Sequence, residues 1–101
     1  MDLKPAQSDL QAENALVRVT RWHLPAGSET GHHVHEYDYV IVPVVAGTLT
    51  IYDDAGAATE APLVSGQSYF RNAGVSHNVT NQGDADIVFV EVELKPDQSP
   101  G

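Results

Sequence analysis

The sequence contains no cysteine, which excludes a disulfide framework and leaves no thiolate to serve as nucleophile or metal ligand. Basic residues are nearly as scarce. Five Lys and Arg stand against fourteen Asp and Glu, for a net charge of −9. So few cations cannot neutralise a row of phosphates or hold an anionic bilayer surface, and neither nucleic acid nor membrane is expected as a partner. No apolar run approaches the roughly eighteen residues of a membrane span, and the polar opening from Met1 to Gln11 has no signal-peptide core. A cytoplasmic location is the expectation. At 101 residues the chain is long enough for one core but not for separate catalytic and binding domains. Any chemistry falls to histidine, carboxylate, tyrosine or a bound cofactor.

Long helical periodicity is missing too, and short β-rich runs between turn residues take its place. Leu16 to Leu24, Tyr37 to Val45, Thr48 to Tyr52, Ala58 to Leu63, Gly66 to Arg71, His77 to Asn81 and Ile87 to Leu94 each read as a strand. Asp53-Asp54-Ala55-Gly56 reads as a hairpin turn, because Asp and Gly tolerate the backbone angles that such turns demand. Several short strands at regular spacing predict an all-β, antiparallel barrel or double sheet in a single domain. Residues 1–12 are expected to be an N-terminal arm, 13–95 the barrel and 96–101 a tail.

Three histidines carry the chemistry. His33 and His35 are two residues apart, so on a strand both imidazoles face one side while His32 and Val34 face the other. His77, on a later strand that a jelly roll brings alongside, adds a third nitrogen and leaves coordination positions open for water or substrate. The alternative is that the three are core or rim residues of a barrel without a metal. If they bind an ion, they must be unprotonated, and occupancy is expected to fall below about pH 6.5, the reference value for histidine.

The frame around these residues resembles the two signature motifs of the cupin superfamily, G-x5-H-x-H-x3,4-E-x6-G and G-x5-P-x-G-x2-H-x3-N. Gly27, His33, His35 and Gly47 fall on the first, and Gly66, Gly74, His77 and Asn81 on the second. The stretches RVTRWHLPAGSETGHHVHEYDYVIVPVVAGTLTI, GQSYFRNAGVSHNVTN and DIVFVEVELK are similar to small single-domain cupins of the beta-alanine degradation type. That resemblance implies an RmlC-like jelly roll (a double-stranded β-helix) and a divalent transition metal such as Fe(II), Mn, Ni, Co or Zn. It also implies a small-molecule substrate and a homodimer paired through N-terminal strands. The implied activity is that of a metal-dependent dioxygenase, or of a lyase or isomerase, on a small carboxylic or keto acid in beta-alanine or related catabolism. A non-catalytic ligand-binding or sensing module is the competing reading.

Two departures from the motifs matter. The carboxylate ligand of the first motif falls on Tyr39 or Val40, and the proline of the second is Asn72. Asp38 reaches the metal only if a bulge shifts the strand, and Pro43 is a residue that often marks one. Because neighbours on a strand face opposite ways, Asp38 and Tyr39 cannot both serve; Tyr39 is preferred, as a nearby hydroxyl or weak ligand. Tyr69, Gln67, Tyr52 and Arg71 are the candidate substrate contacts, Arg71 as a partner for a carboxylate. Trp22, Phe70 and Phe89 are further candidates for an apolar wall, with core packing as the alternative. Glu91 and Glu93 alternate with Val90 and Val92, and this acidic face is expected to be solvated or paired with Arg18 or Arg21 across an interface. His23 and His32 are expected at the surface or rim, and Asn81 at a turn.

Overall fold

The computed structural model describes residues 2–96. Among them there is no helix. The strands are β1 (Lys4–Pro5), β2 (Gln7–Glu13), β3 (Val17–Leu24), β4 (Ser28–Glu29), β5 (His33–Val34), β6 (Asp38–Val45), β7 (Gly47–Tyr52), β8 (Ala58–Leu63), β9 (Tyr69–Arg71), β10 (Ser76–Asn81) and β11 (Ile87–Leu94). One sheet has the order β1-β4-β10-β7-β8, with β5 also paired to β10; the other has the order β2-β3-β11-β6-β9. Every pairing is antiparallel except β1 with β4. The fold is the antiparallel double-stranded β-helix that the strand spacing and the motifs predict.

Alternation along the strands sends the large apolar side chains between the two sheets. Leu24, Ile41, Leu49, Leu63, Val79, Ile87 and Phe89 form one buried cluster drawn from both sheets. Burying a side chain of this size contributes about 1.5–3 kcal/mol. The Asp53 turn forms as expected: its Oδ1 accepts from the backbone N–H groups of Ala55 and Ala57, each at 2.9 Å. Asn81 closes another turn, accepting from Gly83 N at 3.1 Å and donating to Leu24 O and Ala85 O at 2.9 and 2.8 Å.

Residues 4–12, read from the sequence as part of the arm, contain strand β1 and all of β2 except its last residue, Glu13. β1 lies beside β4 in one sheet, and β2 beside β3 in the other, so the segment passes from one sheet edge to the opposite one at Ala6. Every residue of β2 is exposed. Ladder hydrogen bonds hold it, with little burial to help.

A bulge occurs where Pro43 suggested. Val88 pairs with Val45 and Phe89 with Pro43, leaving Val44 as the extra residue. The bulge lies C-terminal to Asp38, so it cannot rotate Asp38 inward, and the alternation through Asp38, Tyr39 and Val40 stays regular.

Gly47 shows why the first motif ends on glycine. A Cβ there would lie 2.5 Å from Cγ1 and 2.7 Å from Cδ1 of Ile87, and Ile87 is only 2 % exposed, with nowhere to retreat. Gly47→Ala is expected to lower stability by about 1–3 kcal/mol through overpacking. Removing both clashing atoms with Ile87→Ala should make the alanine at position 47 less costly than in the wild-type background. Thermal or urea melts of the four proteins of this cycle check it, and equal costs in both backgrounds would contradict the packing explanation.

Candidate functional site

The three histidines are brought together by one short ladder. β5 pairs antiparallel with β10, placing His33 directly opposite His77 and Val34 opposite Ser76. Residues directly opposite one another in a ladder project to the same side, so two imidazoles meet across the strands. His35 follows His33 by two positions and faces the same way, as the burial shows: Val34 and Glu36 are exposed while His35 is 6 % exposed. Beyond β5 the backbone stays tied to the second motif. His35 N donates to Val75 O at 2.9 Å, and Gly74 N donates to His35 O at 2.8 Å. Gly74 has φ +91, a conformation that glycine adopts without strain. The preceding loop is fixed by Asn78, whose Oδ1 accepts from Gly31 N at 3.0 Å and whose Nδ2 donates to Glu29 at 2.8 Å.

The Nε2 atoms of His33 and His77 each lie 3.0 Å from His35 Nε2. The rings stand nearly perpendicular to one another, with centroids 4.7–5.0 Å apart. His33 Nδ1 is 2.8 Å from Gly31 O, a carbonyl that can only accept, so the proton sits on Nδ1 and Nε2 carries a bare lone pair. A proton on His35 Nε2 cannot fully satisfy neighbours on both sides. Protonating the cluster is also unfavourable. Burial, with the charges of His33 and His77 behind it, pushes His35 down to about 3; burial, followed by His33, Arg71 and His32, pushes His77 down to about 4. Converging neutral nitrogens suit a shared cation. Two nitrogens bound at right angles to one ion at about 2.1 Å lie about 3 Å apart, matching the contacts at His35. The donor set fits a borderline first-row divalent ion, and the carbonyl that orients His33 is the kind of outer partner such ligands use.

The histidines form part of the wall of a cavity of 590 Å³ between the sheets. Trp22, Leu49, Val79 and Phe89 give it apolar sides, and Tyr39, Tyr69, Arg71 and Glu91 give it polar groups. Tyr39, 2 % exposed, stacks on His35 with centroids 3.9 Å apart and planes 18° apart. Burial pushes the pKa of its phenol up, with Glu91 adding to the rise, so the hydroxyl is held neutral. Among the described residues it has no hydrogen-bond partner. Arg71 is exposed at the cavity margin with its guanidinium 5.1 Å from the Tyr69 ring centroid, and it makes no ion pair with a described residue.

Other candidates lie elsewhere. Asp38 faces away, its Oδ1 accepting from Ala73 N at 2.7 Å, and does not line the cavity. Gln67 is exposed and Tyr52 accepts at its hydroxyl from Gln82 Nε2 at 2.7 Å; neither borders the cavity. Phe70 is 52 % exposed. His23 pairs with Asp86 and His32 with Asp54, each at 2.9 Å on the surface.

The largest correction concerns Glu91 and Glu93, which are 9 % and 8 % exposed and not solvated. Glu93 does meet Arg18, at 3.4 Å and within the same chain. Glu91 has no hydrogen bond or ion pair among the described residues and borders the cavity. The signal that locates them is parity: Ile87 and Phe89 share a strand face with both acids and are larger than Val90 and Val92.

Comparison with known proteins assigns the family. The Cupin_2 profile, described as a cupin domain, matches residues 20–93. The chain belongs to the cupin family. Over 86 residues, 85 % of this cupin and 90 % of the relative, it is 51 % identical to the beta-alanine degradation protein BauB of Pseudomonas aeruginosa. It is 32 % identical to an oxalate-binding protein of Thermotoga maritima over 71 % of this chain and 57 % of that one. The crystal structure of a cupin domain from Bordetella pertussis superposes with TM-score 0.90 and 43 % identity, covering 95 % of this cupin and 99 % of the other.

Burial, with Glu93 adding and Arg18 opposing, pushes the Glu91 carboxyl up to about 7. The folded protein therefore holds a proton there that the unfolded chain releases near its ordinary value. Stability associated with Glu91 is full below about pH 4.5, declines as pH rises and is lost above about 7. In chelator-treated protein, Glu91→Gln should gain stability relative to wild type on moving from pH 5 to pH 8, by at most about 3 kcal/mol. Parallel melts measure this, and a pH-independent difference would contradict the burial of an ionisable group.

Proposed function

We propose that this cupin holds one divalent first-row metal ion on His33, His35 and His77 and acts on a small carboxylic or keto acid in beta-alanine or related amino-acid catabolism. The observation that carries the reading is the convergence of neutral imidazole nitrogens 3.0 Å apart in the wall of a cavity. The relative named for beta-alanine degradation supplies the metabolic direction. When bound, such an ion supplies Lewis acidity or, if it is iron, redox chemistry toward dioxygen.

The chain's own residues have distinct parts in this reading. Arg71, without an ion pair among the described residues and at the cavity margin, receives a substrate carboxylate through charge-assisted hydrogen bonds. Tyr39 braces the face of His35 and offers a neutral hydroxyl as donor. Tyr69 supports the Arg71 guanidinium and narrows the cavity, and Trp22 and Phe89 exclude water from its apolar side. Glu91 adds a buried carboxyl group to the cavity wall, available to a bound substrate for proton transfer.

A ligand-binding cupin without turnover is the second reading, favoured by the oxalate-binding relative. We further propose a cytoplasmic homodimer that covers the β2 edge, which has a single ladder partner among the described residues and would otherwise invite open-ended pairing. Light scattering at micromolar concentration should give twice the chain mass of 10.9 kDa; the monomer mass contradicts the pairing.

Elemental analysis of tag-free protein should find about one ion per chain, with His33→Ala, His35→Ala and His77→Ala each losing it while keeping a β-sheet circular dichroism spectrum. Because protonation of His35 and His77 is displaced to about 3 and 4, competition there begins well below the pH 6.5 expected from sequence. Metal content followed on acidification should therefore be lost at a lower pH than that reference value. Wild-type metal content in the three variants contradicts the site. Oxygen uptake or product formation from a panel of beta-amino and beta-keto acids by the Fe(II)-loaded protein separates enzyme from binder.

A further inference from the structure

The inner face of the β3-β11-β6-β9 sheet is graded in polarity. The strand registers set out its rows. Arg18, Glu93, Tyr39 and Arg71 form one; Thr20, Glu91, Ile41 and Tyr69 form the next; Trp22, Phe89 and Pro43 follow. In the first row Glu93 is engaged by Arg18, which leaves Arg71 without a carboxylate. In the second row Glu91 is flanked by a threonine and an isoleucine, leaving the carboxylate without a cation. Glu91 is 9 % exposed and Arg71 is open to solvent, and both border the same cavity. Two strand spacings, roughly 10 Å across the sheet, separate their strands.

A buried carboxyl group lacking any hydrogen bond is costly to keep, and apolar packing would serve the fold better. Its location on a cavity wall gives it a different use. From these observations we infer that Glu91 is the inner, ammonium-binding pole of the cavity and Arg71 its outer, carboxylate-binding pole. The ligand is then a zwitterionic amino acid whose amino and carboxylate groups lie at opposite ends of an unbranched chain. The inference rests on the proposed function for the location of the site and deepens it by naming the substrate class.

The raised proton affinity of Glu91, caused by burial, agrees with this assignment, since a cation set against the carboxyl favours its ionised form. Apolar Trp22 and Phe89 lie beyond Glu91 in the next row, so an amine entering past it finds no other anion on that wall. Length discrimination follows from geometry, because the two poles belong to fixed strands and a ligand must span them to engage both.

The test is calorimetric titration of the full chain, metal-loaded and metal-free, with beta-alanine, 4-aminobutyrate and 5-aminopentanoate. The unbranched acids and amines of matching length, each lacking one pole, serve as controls. At least one amino acid should bind about tenfold or more tighter than its matching acid, the range for a charge-assisted hydrogen bond. Glu91→Gln should reduce that preference below about threefold while leaving affinity for the plain acid unchanged. Arg71→Met should weaken the acids and leave the amines unchanged. A wild-type protein that binds acids as tightly as amino acids, or binds neither, overturns the inference, as does a preference that survives Glu91→Gln. These results are independent of metal content: an ion bound with no amino-acid preference rejects the zwitterion and keeps the metal site, whereas amino-acid preference without an ion does the reverse.

Discussion

The short antiparallel contact between β5 and β10 is the constraint on which the site depends. Its ladder sets His33 opposite His77, and the backbone bonds of His35 to Val75 and Gly74 carry the alignment two residues further. With the strand and turn backbones tied, the imidazoles have little freedom except rotation about their side-chain bonds. His33 loses even that to the Gly31 carbonyl. The convergence of like lone pairs, unfavourable by itself, is therefore imposed by backbone pairing, and a cation is the group that relieves it.

The facing sheet supplies the other half of the cavity. Its inner surface changes from charged to apolar along β11, from Glu93 to Ile87, and the same change is repeated on β3 from Arg18 to Leu24. The apolar end merges with the core that stabilises the barrel. Toward the charged end, Tyr39 is buried against His35 and joins the two sheets at the site. Stability and chemistry thus share one sheet face. That is why Glu91 costs the folded protein stability at neutral pH and is at the same time available to a ligand.

Much of this was legible in the residues. The two-residue spacing of His33 and His35 requires a common face on any extended backbone, whereas Tyr39 lies past a bend at Glu36 and Tyr37 on a strand of the facing sheet, and its stacking on His35 comes from packing between the sheets. The seven strands expected from β-rich runs all form, with ends displaced by at most a few residues. β2 escaped because Gln7–Glu13 is wholly exposed and so carries no apolar alternation, and β4 and β5 are two residues each, too short for any periodic signal. Glu91 was missed for another reason. Alternation divides a strand into two faces without saying which is inside, and valines at 90 and 92 drew attention from the bulkier Ile87 and Phe89 on the acidic side. Gln67 illustrates the opposite case: closeness to a motif in sequence does not fix the direction of a side chain, and it lies exposed in the turn before β9, away from the cavity.

Ligation of one ion by His33, His35 and His77, as proposed, is read directly by X-ray absorption spectroscopy of the metal-loaded protein. A first shell of light atoms at about 2.1 Å is expected, with outer-shell scattering from three imidazole rings. In His35→Ala protein the imidazole count should fall. A spectrum dominated by oxygen, with one imidazole or none, would contradict this ligation.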